Sequence, residues 1–465
     1  MAAAYPPWVM LEHYCTLEVQ GCSSSIADDK TRASCLTSTG IPISISLCLA
    51  EPPEGSRVAE IVGRRVSLTT DHFVYNAGNT AADPPRPPSL SLLPLYGHGK
   101  GRRRFMHSDG AGILRRGEDE FVVAELSIVK VSDEADTQAA ELRLLRSPGH
   151  GKWTATRLPI RHYHGGEGCE LPSMSRSHAV IPVGRNRLCW VDLQHGLMFA
   201  NVSDESPELR YVPLPEDPCF GRTSHRNVLA TAGGAAIRFV NIFPRCCCGG
   251  AGASSCQHSN DAYTVRTWTL TMHDMTWAMD GTIDATELWP LDGYKGLPRV
   301  ELGYPIVCLD EPHCVCFEVC ENHHFQDGDK TTWRIMVDVR SKTLRSLFRY
   351  PEGRRYIGRE LLYPCNVSEC FNSELGSGTQ GPAQAQVLPT LANNISGDLR
   401  RPFCESSSSN APMQASSLAK ILAALEEIPG LDRDDMLKAY HTLQKSYGFP
   451  KRFDVGLCAD GDQGN

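Results

Sequence analysis

Between about Ile113 and Gly353, apolar residues come in short runs separated by polar turns, and the runs repeat one order. A β-rich run leads to a polar turn, a second β-rich run follows, and the unit closes on an apolar residue and a proline. The first unit holds Phe121-Val-Val-Ala-Glu-Leu-Ser-Ile-Val-Lys-Val131, Glu141-Leu-Arg-Leu-Leu-Arg146 and Gly151-Lys-Trp153, closing at Leu158-Pro159. The second holds Ala179-Val-Ile-Pro-Val183, Leu188-Cys-Trp-Val-Asp-Leu193 and Gly196-Leu-Met-Phe-Ala-Asn-Val202, closing at Leu214-Pro215. The third holds Ala236-Ile-Arg-Phe-Val-Asn-Ile242 and Tyr263-Thr-Val-Arg-Thr-Trp-Thr-Leu270, closing at Trp289-Pro290. The fourth holds Arg299-Val-Glu-Leu302, Cys314-Val-Cys-Phe-Glu-Val-Cys320 and Trp333-Arg-Ile-Met-Val-Asp-Val339, closing at Tyr350-Pro351.

Runs rich in Val, Ile, Tyr, Phe and Trp between Gly, Asp, Asn and Ser are strand chemistry. A lone twisted four-stranded unit cannot bury both faces, whereas radial repetition covers the faces and leaves short edges. The pattern therefore predicts a mainly β, β-propeller-like repeat domain of about five to six blades over residues 1–373. Propeller blades take about 40–50 residues. The third unit is longer, and the Cys-Cys-Cys-Gly-Gly-Ala-Gly-Ala-Ser-Ser stretch at 246–255 reads as an insertion. Ahead of the repeats, Trp8-Val-Met-Leu11, Ile41-Pro-Ile-Ser-Ile-Ser-Leu-Cys-Leu49 and Val66-Ser-Leu68 supply one or two irregular blades. Asp83-Pro-Pro-Arg-Pro-Pro-Ser-Leu90 reads as an extended surface loop.

The strand pattern stops after Phe371. Residues 374–412, rich in Gly, Ser, Gln, Asn and Pro, read as a flexible linker. Within 413–465, Leu418, Ile421, Leu422 and Leu425 share one helical face, capped by Ser416 or Ser417 and stopped at Pro429-Gly430. Asp432 can cap a second helix carrying Met436, Leu437, Tyr440 and Leu443. Helices near or below about 12–15 residues are marginal alone, and each buried Leu contributes roughly 1.5–3 kcal/mol. This C-terminal helical hairpin is expected to dock on the body or on a partner.

The formal charge of −8 argues against a surface devoted to phosphate neutralisation, so no nucleic acid is expected as a partner. The N-terminal residues lack a basic and an apolar signal region, and no apolar run reaches membrane-spanning length. The expectation is an intracellular protein, cytoplasmic or nuclear, with no membrane association. Its 19 cysteines, an odd number, are then reduced thiols and not a closed disulfide framework. The sequons at Asn201, Asn366 and Asn394 are read as chance matches.

Several strings resemble the plant proteins grouped as domain of unknown function 1618. They are Val180-Ile-Pro-Val-Gly184, Leu188-Cys-Trp-Val-Asp-Leu193, Gly196-Leu197, Arg210-Tyr-Val-Pro-Leu-Pro215, Pro244-Arg-Cys-Cys-Cys-Gly-Gly250, Tyr263-Thr-Val-Arg-Thr-Trp-Thr-Leu270, Asp284-Ala-Thr-Glu-Leu-Trp289, Leu297-Pro-Arg-Val300 and Tyr350-Pro-Glu-Gly353. The similarity runs from about Trp8 to Ser373, and the helical tail also resembles tails on such proteins. The resemblance implies a plant protein, largely of grasses, with a body similar to F-box-associated and kelch-like domains. It implies no activity and supplies no catalytic residues. An F-box-like helical segment is not seen before Trp8, so an adaptor role in ubiquitination lacks its usual module.

Candidate chemistry is sparse. Cys246 and Cys248 would share one face of an extended strand, and Cys256 and His258 one face of the return, a Cys3His set for zinc. Zinc ligands usually come as Cys-x(2–4)-Cys, and a one-residue gap strains a tetrahedral site. Buried or loop thiols are the favoured reading of this stretch, which also contains Cys247. Cys314, Cys316 and Cys320 fall on one face of a strand and Val315, Phe317 and Val319 on the other, a core strand buried on both faces. His323-His324 follow in a polar loop.

His162-Tyr-His164 and Asp310-Glu-Pro-His313 offer acid–base groups with no nucleophile placed beside them. Gly97-His-Gly-Lys-Gly101 lacks the strand–loop–helix setting of a phosphate cradle. Lys100-Gly-Arg-Arg-Arg104 reads as a solvated loop, with a nuclear address or anion contact as the alternative. No catalytic elbow, metalloprotease helix or P-loop is present. The chain is therefore expected to be a non-catalytic protein-interaction scaffold, without catalytic or cofactor-binding residues. The alternative is a zinc-containing regulator or hydrolase centred on 246–258.

Overall fold

In a computed structural model of the chain, the described residues are 5–19, 28–62, 71–80, 82–94, 106, 108–117, 120–130, 138–149, 151–163, 177–215, 222–231, 234–245, 262–320, 331–350 and 362–372. The expected linker 374–412 and helical region 413–465 lie outside them, as does Val66-Ser-Leu68. The fold is mainly β, with one short α-helix, α1 (Ala285–Leu288), among the described residues.

The N-terminal sheet has the order β2 (Ala33–Leu36), β3 (Pro42–Cys48), β4 (Gly55–Val62), β1 (Val9–Val19), with β23 (Leu362–Cys365) last. β1 runs parallel to β4 and antiparallel to β23, so the first and last described strands share one sheet. A hairpin follows, β5 (Phe73–Asn76) with β6 (Ser89–Leu92), and the proline-rich stretch forms its exposed connection.

Four antiparallel meanders come next, one for each repeat in the sequence. The first is β7 (Ala111–Arg115), β8 (Phe121–Lys130), β9 (Gln138–Ser147) and β10 (Thr154–His162). The second is β11 (Ala179–Val183), β12 (Arg187–Asp192), β13 (Gly196–Asn201) and β14 (Leu209–Pro213). The third is β15 (Arg226–Ala230), β16 (Ala236–Arg245), β17 (Ala262–Thr271) and β18 (Thr276–Asp284). The fourth is β19 (Gly303–Val307), β20 (Cys314–Cys320), β21 (Thr332–Asp338) and β22 (Thr343–Arg349). The last strands of the first two meanders, β10 and β14, pair in parallel through Ile160 and Leu209, which joins them into one eight-stranded sheet.

Alternation along each strand explains the stacking, because neighbouring side chains point to opposite faces. All seven residues of β20 are buried. Cys314 and Cys316 pack with Trp8, Met10 and Leu362 of the N-terminal sheet, while Val315, Phe317 and Val319 pack with Val240, Tyr263 and Val265 of the third meander. The same holds for β12: Leu188 and Trp190 meet the first meander, and Cys189 and Val191 meet the third. The hairpin is covered on one side by the N-terminal sheet, through Phe73 and Tyr75. Its other side meets the first meander, through Val74 and Ile113. Each hydrophobic cluster thus lies between two neighbours in the succession of N-terminal sheet, hairpin and meanders, and the succession closes where the fourth meander meets the N-terminal sheet. First strands approach closely: a Cβ on Gly112 of β7 would sit 2.4 Å from Val180 Cγ1 of β11.

A meander of four antiparallel strands has two unlike ends. The turns between first and second, and between third and fourth strands, share one end. They are 116–120 and 148–153, 184–186 and 202–208, 231–235 and 272–275, 308–313 and 339–342. From the other end leave the second-to-third connections, 131–137, 193–195, 246–261 and 321–331, and the links between sheets, 163–178, 214–225, 285–302 and 350–361; the 285–302 link reaches back to the first end, where Glu287 meets Lys342 at 2.6 Å. The first end is made of short turns; the second carries nearly all the long connections.

Candidate functional site

A set of titratable side chains lies where the first two meanders join. Asp192 closes β12 and starts the tight turn to β13. Its Oδ1 accepts from the Gln194 amide at 2.9 Å, and its carbonyl accepts from the His195 amide at 3.2 Å. An aspartate that mimics backbone in this way is a turn former. Gly196 follows because the Tyr211 ring occupies the place of a side chain: a Cβ there would lie 2.5 Å from Cε2.

The carboxylate is 3% exposed, and its Oδ2 lies 2.8 Å from His195 Nδ1. With the carboxylate as acceptor, the His195 Nδ1–H donates to it, and Nε2 is the ring nitrogen turned away from this bond. His178, just before β11, accepts the Leu193 amide on Nδ1 at 3.2 Å, which puts its own proton on Nε2. That Nδ1 is 3.6 Å from Asp192 Oδ1. The Tyr211 hydroxyl donates to the His195 carbonyl at 2.8 Å. Burial and the nearby Asp192 charge push the Tyr211 phenol far above its ordinary range, so it stays protonated.

His162 ends β10 and meets the Tyr211 ring edge-on, with centroids 5.2 Å apart. Beside it, the Arg210 guanidinium covers the Tyr163 ring at 5.7 Å. Of the sequence-predicted trio, His162 and Tyr163 therefore border this cluster, while His164 lies outside the described residues. Sequence reasoning missed Asp192, His195 and His178. The available signal was Asp-x-x-His-Gly between two apolar runs. Chemically, the set holds an imidazole oriented through Nδ1 by a buried carboxylate, an arrangement suited to hydrogen bonding through its other ring nitrogen.

Asp310-Glu-Pro-His313 lies on the opposite, short-turn end. Asp310 Oδ1 accepts the Glu311 amide at 2.9 Å, Arg340 Nη1 is 3.4 Å from His313 Nε2, and Arg345 reaches Asp338 at 3.0 Å and Glu311 at 3.9 Å. Burial raises the Asp338 carboxyl, but hydrogen bonds from Ser341, Arg345 and the Arg340 amide outweigh it and hold it below its ordinary value. These side chains tie two neighbouring turns together.

Charged groups inside the sheets also have structural partners. Arg334 lies opposite Glu318 on the neighbouring strand at 3.6 Å, and its Nε donates to the Tyr350 hydroxyl at 2.7 Å. Arg238 binds both oxygens of Asp280, at 2.9 and 3.2 Å. Thr267 donates to the same carboxylate at 2.7 Å.

Cys246, Cys247, Cys248, Cys256 and His258 lie outside the described residues, as do His323-His324, Gly97–Gly101 and Lys100–Arg104. Among the described residues, no group of three or more His, Cys, Asp or Glu is arranged to hold a metal ion. No described helix is long and apolar enough to cross a membrane.

Closed stacking of mainly antiparallel sheets defines a β-propeller-like body. A family model described as "Protein of unknown function (DUF1618)" matches residues 190–316, from β12 to β20, and supports the resemblance read from the sequence. No curated protein matches the chain. Among solved structures, the chain is similar to the WD40 domain of SCAP from fission yeast, at 10% identity and a TM-score of 0.28, covering 70% of this chain and 78% of that one. It is also similar to MPT-4, a mannose phosphorylase from Leishmania mexicana, at 11% identity and a TM-score of 0.19, covering 53% of this chain and 70% of that one. At these scores neither likeness bears on the fold, which rests on the strand pairing and clusters above.

Proposed function

We propose that the chain is a non-catalytic protein-interaction scaffold, a propeller of six blades that presents its long-connection end to a protein partner. The N-terminal sheet, the two-stranded hairpin and the four meanders are the six blades in this reading. The observation that carries it is the inequality of the two ends. Recognition commonly resides in loops held by a rigid scaffold, and here nearly all the long connections leave from one end. The Asp192–His195 turn, His178 and the Arg210–Tyr163 stack supply donors, acceptors and aromatic surface there. The reading includes a plant, intracellular setting, cytoplasmic or nuclear, and a second docking element in residues 413–465.

The test replaces connections 246–261 and 321–331 with short Gly-Ser turns in one variant, and 202–208 in another. Proteins recovered by proximity labelling are then compared with wild type. The set is expected to collapse for the first variant and persist for the second. Equal recovery from both folded variants would sink the proposal, and so would stoichiometric zinc together with hydrolytic activity in the purified reduced protein.

A further inference from the structure

We propose that Cys308 and Cys314 form a cross-strand dithiol, a redox modification site that closes to a disulfide when hydrogen peroxide reaches it. Cys308 directly follows β19, and Cys314 opens β20. The ladder pairs Ile306 with Cys316 and Val307 with Val315, so the next pair in the same register is Cys308 with Cys314. The Cys308 amide donates to the Cys314 carbonyl at 3.0 Å, which continues the ladder to that pair. Both side chains point to the same side, into the cluster with Trp8, Met10 and Leu362 where the fourth meander meets the N-terminal sheet.

Directly opposed residues of an antiparallel pair have Cα atoms about 4.5–5.5 Å apart. Disulfides span Cα separations of about 4.4–6.8 Å. The bridge therefore forms without moving the strands. A hydrogen bond with the Cys314 thiol, and then burial, push the Cys308 thiol above its ordinary value. This site penalises a thiolate, whereas a disulfide is neutral and fits the apolar surroundings.

A scarce thiolate makes the reaction slow compared with exposed cysteines. It also selects a small, uncharged oxidant able to pass the exposed turn at 310–312. Peroxide converts one thiol to a sulfenic acid and releases water. The second thiol attacks that sulfur, forms the S–S bond and expels a second water. Two thiols and one peroxide thus give one disulfide and two waters. Cys316 lies two residues beyond Cys314 on the same face, opposite Ile306, so it is placed diagonally to Cys308 and serves as the control.

The experiment uses the full reduced chain, treated with peroxide in native buffer and in guanidinium, alkylated after denaturation and mapped by peptide mass spectrometry. Natively, a Cys308–Cys314 bridge should appear and persist in Cys316→Ser. It should be lost in Cys308→Ser and in Cys314→Ser. In guanidinium the preference for this pair should vanish. Recovery of both thiols alkylated after other cysteines have been oxidised would overturn the proposal. So would a native bridge that uses Cys316, or an equal preference in the unfolded chain. The wild-type map decides the matter even if a serine variant does not fold.

Discussion

Ending the chain at residue 361 removes β23 and the residues that follow it, and this should unfold the whole body and not merely fray one edge. β23 pairs with β1 through Val9–Cys365 and Glu12–Leu362. Beyond it, Asn372 accepts the Tyr5 amide at 2.8 Å and donates to the Tyr5 carbonyl at 3.1 Å. The Cys370 carbonyl accepts both the amide and the hydroxyl of Thr80 at 3.0 Å. Leu362, Val367 and Phe371 are buried to within a few per cent of full burial. At roughly 1.5–3 kcal/mol for each such side chain, the three account for about 5–9 kcal/mol, an upper estimate because unfolded chains already bury some surface. Domain stabilities run to about 5–15 kcal/mol, so the loss is comparable with the total. Ending the chain at 373 keeps every one of these contacts. Urea denaturation followed by circular dichroism and size exclusion compares the two truncations. The reasoning fails if 1–361 unfolds cooperatively with the same midpoint as 1–373.

Two further outcomes follow from buried charge. Burial holds the His72 imidazole below its ordinary value, against the opposing pull of Asp71 and a Met106 backbone hydrogen bond. The unfolded chain then binds a proton on this group at about pH 6.5 while the folded chain resists. Stability is therefore lost as pH falls from there through the lowered folded value. Urea midpoints at neutral pH and at mildly acidic pH should differ less in a His72→Gln variant than in wild type, and an unchanged difference refutes the assignment. Arg334→Met leaves the Glu318 carboxylate, 4% exposed, without that cation. It should cost about 3–5 kcal/mol, with most of the loss recovered in the Glu318→Leu, Arg334→Met double variant. Additive losses in the double-mutant cycle count against the pairing.

The parts legible in the sequence were those whose signal is local. The β20 alternation separates Cys314 and Cys316 from Val315 and Phe317 by period alone, and the two sets do pack against different neighbouring sheets. The last strand of a meander was harder to read, because its many exposed positions erase the apolar pattern. β18 carries Thr276, Ala278 and Met279 exposed, and β10 buries only Leu158 and Ile160. Pairing between distant segments leaves no local trace at all. Nothing near Val9 announces Cys365, nor does β10 announce its parallel partner β14. The candidate site was half visible for the same reason. His162 was singled out with its sequence neighbours, but Tyr211, Asp192 and His178 come to it only through the join between two meanders.

That join also bears on how the body divides its labour. Covering both faces of every sheet requires apolar residues throughout the strands, and the short-turn end spends its polar side chains tying turns to one another, as Arg345 does with Asp338 and Glu311. The Arg146 guanidinium does the same, donating to the carbonyls of Val202 and Asp204 in the next meander at 3.1 and 3.0 Å. Such contacts across neighbouring turns leave that end little freedom to vary. At the opposite end the connections are long, and length in a surface loop is thermodynamically cheap, since closure entropy grows only with the logarithm of loop size. Under the proposed scaffold role, sequence change there would alter recognition at little cost to the stacking beneath it. A stable stack whose long connections leave from one end is the physical form that role requires.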